Sequence, residues 1–75
     1  MKRGTTSLGF GLVYYRRLVY CEVIIGEERV LVLFNSYYVS EIILDENNRW
    51  KSIGGAKLPQ KVLKEIGNHI ENHFA

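Results

Sequence analysis

Residues 19–34 read V-Y-C-E-V-I-I-G-E-E-R-V-L-V-L-F. Side chains of a strand alternate between the two faces of its sheet. A strand with one face in water therefore alternates apolar with polar residues. This stretch does not. Gly26-Glu27, with Gly first, fits a two-residue type II′ hairpin turn. That turn pairs Ile24 with Arg29, Val23 with Val30, Cys21 with Val32 and Val19 with Phe34. One face then carries Val19, Cys21, Val23, Val30, Val32 and Phe34; the other carries Tyr20, Glu22, Ile24, Leu31 and Leu33. The first face is wholly apolar and the second mostly so. Both faces need cover, and that requirement governs what the rest of the chain can do.

The flanking segments extend the sheet. Residues 10–17 are rich in aromatic and β-branched side chains and predict a strand, while residues 1–9 are polar and predict a flexible start. Asn35-Ser36-Tyr37 predicts a turn, residues 38–44 a third meander strand, Asp45 to Asn48 a second turn and residues 49–53 a last strand with Trp50. Gly54-Gly55 is expected to end it. The register across Asn35 to Tyr37 is open by one residue, and that residue decides which face Glu41 occupies.

Over residues 57–74 the period changes. Leu58, Val62, Leu63, Ile66, Ile70 and Phe74 recur at helical spacing, and Pro59 suits the first helical turn. Gly67 borders the apolar stripe, which predicts close approach of helix to sheet, or a bend. The fold class is α+β: an antiparallel β-meander of four to five strands with one C-terminal amphipathic helix packed on one face. Residues 1–75 form a single small domain.

One helix covers one face only. Burying a single aliphatic side chain stabilises by ~1.5–3 kcal/mol. Several left open make a patch larger than soluble monomers usually show. The N-terminal strand folding over is one cover for the second face; a second copy of the chain is the other. The copy is favoured, because a face-to-face twofold contact is self-complementary. The expected interface is Tyr20, Ile24, Leu31 and Leu33, with Glu22 at the rim or paired. If the helix takes that face instead, the interface exchanges to Val19, Val23, Val30 and Val32.

With 75 residues, 47% apolar and 24% charged, the chain is globular and has room for one modest core. Cys21 stands alone, so no intrachain disulfide staples it, and its ordinary role is that of a small buried hydrophobe. Gly9 and Gly11 break the first apolar segment, which argues against a signal peptide, and no apolar run is long enough for a membrane span. A lone Cys and no signal point to the cytosol.

No motif specifies catalysis, and no cofactor or metal is expected. His69 and His73 stand at i, i+4, but without H-E-x-x-H or a third ligand they read as helix-end histidines. Glu22 and Glu41 could share one sheet face, yet two charges that limit stickiness are the plainer reading than an acid pair. Gly9-Phe10-Gly11 is a fragment of G-x-G-x-x-G and no more, and the acidic turn at Asp45 does not match an EF-hand loop. Tyr14-Tyr15-Arg16-Arg17, extended by Tyr37-Tyr38 and Trp50, is the strongest binding signal. Aromatics stack on bases and Arg pairs with phosphate, so Tyr14, Tyr15, Arg16, Arg17 and Trp50 define an alternative single-stranded nucleic-acid contact. The same residue types are enriched at protein interfaces.

The segments V-S-E-I-I-L-D-E-N-N-R-W-K-S-I-G-G and L-P-Q-K-V-L-K-E-I-G-N-H-I-E-N-H-F resemble small uncharacterised proteins of the Bacteroidetes type. The resemblance covers about half the chain. It implies a β-meander, an acidic turn before an aromatic strand and a closing helix, in a bacterial source, and it carries no catalytic residues. Taken together, the sequence predicts a non-catalytic interaction or assembly module that works as a homodimer.

Overall fold

The computed structural model describes residues 6–75. Five strands, β1 (Thr6–Tyr14), β2 (Arg17–Ile25), β3 (Val30–Phe34), β4 (Tyr37–Leu44) and β5 (Trp50–Gly55), form one antiparallel sheet in the order β1-β2-β3-β4-β5. The helix α1 (Gln60–Phe74) follows and lies on one face. The α+β meander with a closing helix is therefore the fold. Short connections explain the order, since strands joined by tight turns pair with their chain neighbours.

Several boundaries move. β1 begins at Thr6, so residues 6–9, expected to be flexible, belong to a strand; residues 1–5 lie outside the described part. The strand ends at Tyr14 because Tyr15 and Arg16 turn the chain, with φ of 50° and 66°. Two consecutive left-handed residues make a type I′ hairpin turn, whose twist matches that of the strands it joins. Asn35 and Ser36 repeat the device at the same end of the sheet, with φ of 52° and 74°. Tyr37 accordingly starts β4 opposite Phe34 and is not part of the turn. β5 runs on through Gly54 and Gly55, and α1 starts at Gln60, so Pro59 precedes the first helical turn and Lys57 lies outside the helix.

The register of the β2–β3 hairpin is also shifted. Ile25 pairs with Val30, Val23 with Val32 and Cys21 with Phe34, so the turn centres on Glu27-Glu28, closed by the Gly26 N–H donating to the Arg29 carbonyl at 3.0 Å. The displacement is two residues along the partner strand. An even displacement leaves every side chain on its own face. The two faces are thus those expected, with new neighbours.

The helix takes the Val19/Val23/Val30/Val32 face. Cys21, Val23, Val32 and Ile42 are fully shielded there by Val62, Leu63, Ile66 and Ile70 of α1, with Leu12 of β1 completing the layer. Trp50 lies flat against α1 where Gly67 has no side chain; a Cβ at that position would collide with the indole ring. Gly67 is the point of close approach, and the helix continues through it. Ser40 is the buried polar residue of this layer among the described residues. Its hydroxyl sits 2.8 Å from the Ala56 carbonyl and 3.1 Å from that of Gly54, which ties the exit of β5 to β4. No helix of the described residues is long and apolar enough to cross a membrane.

Candidate functional site

The face without the helix carries Tyr20, Glu22 and Ile24 from β2, Leu31 and Leu33 from β3, and Tyr38, Glu41 and Ile43 from β4. Cross-strand rows build it: Glu22, Leu33 and Tyr38 in one, Ile24, Leu31 and Glu41 in the next. The β3–β4 register, open in the sequence, is set by a bulge between the Val32 and Leu33 pairs. One extra residue on one strand re-aims its side chains by one position. Glu41 thereby lands on the open face opposite Leu31.

Ile24, Leu31, Leu33 and Ile43 are half-buried although no element of the described residues lies over them. Their own neighbours provide the shade. Tyr20 lies across Gly9 of β1, and the Glu41 carboxylate lies over Gly54 of β5. Tyr20 and Tyr38 remain 52% and 53% exposed. The result is an aliphatic centre ringed by tyrosines, carboxylates, Arg29 and Lys51. An apolar middle with an amphipathic and charged margin is the anatomy of a protein interface. The N-terminal strand does not fold over this face; it joins the sheet as the edge strand β1.

The charges on the face differ. Glu41 pairs with Arg29 at 3.4 Å across the β3–β4 ladder. Glu22 has no ion-pair partner among the described residues. The two carboxylates share the face but stand in different rows, one opposite Leu33 and the other opposite Leu31. No cleft separates them, and the surface between them is leucine.

The aromatic–basic residues are divided. Tyr14 turns into the layer under the helix, where its ring meets Phe34 edge-on at 4.9 Å, and it also meets Tyr15 of the turn edge-on at 4.6 Å. Tyr15, Arg16 and Arg17 are exposed at the β1–β2 turn, and Tyr37 is exposed at the same end of the sheet. Trp50 sits four strands away on β5, against Gly67, with its indole N–H 3.5 Å from Glu71. The five residues do not share one surface. A shallow groove of about 360 Å³ does form beside Trp50, lined by Arg49, Lys64, Asn68 and Glu71 among others. Sequence reading missed it, because it depends on the helix crossing that the Gly67 notch permits.

The histidines also part. His69 stacks on Phe10 of β1 with ring centroids 3.8 Å apart, and His73 meets Phe74 edge-on. Among the described residues no group of three or more His, Cys, Asp or Glu side chains gathers into a metal site. Asp45 is occupied by its own turn: Oδ1 accepts from the Asn47 and Arg49 amides at 2.8 and 3.0 Å. The Arg49 amide bond is the main reason its carboxyl is held below the ordinary value. Cys21 is buried in the core, and burial first, then the charges of Glu65 and Glu22, pushes its thiol up to about 12. It is a packing residue with little thiolate at neutral pH.

Compared with known proteins, the chain matches no protein-family model, no curated sequence and no solved structure. The open face therefore stands on its geometry alone.

Proposed function

We propose that this chain is a non-catalytic interaction or assembly module of the bacterial cytosol that pairs with a second copy of itself through the open sheet face. Tyr20, Ile24, Leu31 and Leu33 form the contact, joined by Ile43 and Tyr38. The observation that carries the reading is the aliphatic centre on β2, β3 and β4, half-buried and without a covering element among the described residues. Two such faces packed together lie about 10 Å apart and interleave their side chains. A twofold axis along β3 lays the β2 half of one face on the β4–β5 half of the other. That brings Glu22, without an ion-pair partner among the described residues, to the side that carries Lys51.

Placing Leu31→Glu and Leu33→Glu together tests the contact. Four carboxylates facing their copies across a dry interface repel strongly. The expected result is a folded chain whose light-scattering mass is half that of the parent. An unchanged mass would remove this face from the assembly. The exposed Tyr15, Arg16, Arg17 and Tyr37 at the turn end keep a second reading in play, contact with single-stranded nucleic acid. Oligonucleotide binding that falls steeply with salt would support it. No binding at low salt would dismiss it.

A further inference from the structure

The outer edge of β1 differs from every other part of the sheet. The Asn35 N–H donates to the Tyr20 carbonyl at 2.8 Å, and the Tyr20 N–H donates to Asn35 Oδ1 at 2.9 Å. Tyr20 therefore aims its backbone groups at the β3 side. Strand alternation aims those of Cys21 and Val23 at β1, and their partners Phe10 and Leu8 aim back. The backbone N–H and C=O groups of Ser7, Gly9, Gly11 and Val13 are left pointing outward. No described strand takes them up.

Natural edges are blunted by charge, proline, bulges or short length. The opposite edge shows such devices. β5 has six residues, carries Lys51, faces β4 across a bulge and ends on Gly55 at φ 71°. β1 shows none: nine residues, no charge, no proline and nine unbroken pairs with β2. Its centre, Leu8-Gly9-Phe10-Gly11-Leu12, reads the same in both directions.

We infer that β1 pairs antiparallel with β1 of a second copy about a twofold axis at Phe10, joining two sheets into one of ten strands. The symmetry of the sequence selects the occupant. Centred there, Gly9 meets Gly11 of the second copy, Leu8 meets Leu12, Phe10 meets Phe10 and Ser7 meets Val13. Roughly eight backbone hydrogen bonds form, because each outward residue exchanges both groups with its opposite. The glycines bring no side chain of their own to the seam, where Tyr20 lies across Gly9 on the open side, and the leucines and Phe10 meet on the helix side, continuing the core layer across it. This contact is made by backbone groups and uses none of Ile24, Leu31 or Leu33, so it stands or falls apart from the face contact. Both together build assemblies larger than a dimer.

Amide-resolved hydrogen exchange tests it. In the parent chain the Ser7, Gly9 and Val13 amides are protected only if the edge is paired. Gly11→Pro removes an outward donor and blocks the seam while leaving the β2 ladder intact. The parent should exchange these three amides on the order of 100-fold more slowly than the variant, with the Phe10 and Leu12 amides equally protected in both. If the proline variant fails to fold, dilution of the parent makes the same comparison: the Ser7, Gly9 and Val13 amides should lose their protection as the copies separate, while those of Phe10 and Leu12 keep theirs. Amides of Ser7, Gly9 and Val13 that exchange freely in the parent, or that are equally slow in parent and variant, would overturn the pairing.

Discussion

The two faces of this sheet are made from nearly the same residues and meet different fates. Val23 and Val32 point one way and are wholly shielded; Ile24 and Leu31, next to them in the chain, point the other way and keep part of their surface in water. The difference is the helix. On its side, packing is dry, Gly67 is cut away to admit Trp50, and a single serine is tied down by carbonyls. On the other, tyrosines and carboxylates lie over the sheet and over the glycines of its outer strands. A face built to stay in water does not place Ile24, Leu31, Leu33 and Ile43 together at its centre. A face built as a finished core does not ring them with Tyr20, Glu22, Tyr38 and Glu41. The open side is intermediate, and the proposed contact with a second copy would complete its cover.

Truncation should separate the faces most. Ile66→Ala removes a fully buried side chain from the centre of the covered layer and should cost about 2–5 kcal/mol in denaturant unfolding. Leu31→Ala on the open side should cost under ~1.5 kcal/mol in the separated chain, since part of its surface is already wet. Equal losses would break the contrast. Gly67→Ala should cost about 1–3 kcal/mol, because the added methyl drives Trp50 from its notch. Trp50 fluorescence should shift toward that of exposed indole, and an unshifted spectrum would argue against the notch.

Cys21 sharpens the contrast through pH. Its folded thiol holds its proton to about 12, against an ordinary value of 9.0. Between those values the folded state binds more protons than the unfolded one, so stability falls as pH rises through that window. The loss should be smaller in Cys21→Ala than in the parent, and an identical pH profile would deny the burial. The smallest effect belongs to the Asp45 turn. Its carboxyl is held low, so its stabilisation is present above the unfolded value and fades as pH falls through the folded one. Asp45→Asn should flatten the acid limb of the melting profile slightly and leave both faces untouched.

Much of this was legible in the chain. The alternation of residues 19–34 assigned side chains to faces correctly even though the turn was misplaced, because the shift was even. Helical spacing named the buried residues of α1 apart from Phe74, which is exposed, and Gly67 announced a close approach. What was hidden has physical causes. Tyr15 and Arg16 occupy a left-handed turn usually taken by Asn and Gly, so the segment read as a continuing strand and a binding patch. The bulge that places Glu41 on the open face leaves no mark in composition. The division of Trp50 from Tyr15 and Arg16 follows from strand order, which no short motif records.

The most direct test is the light-scattering mass of the unaltered chain, followed over a wide range of concentration. A mass of two or more chains, falling toward one on dilution as the tyrosines of the open face become accessible to solvent probes, is the predicted result. A single 8.7 kDa chain at every concentration would contradict the account, because the aliphatic centre of that face would then be content in water.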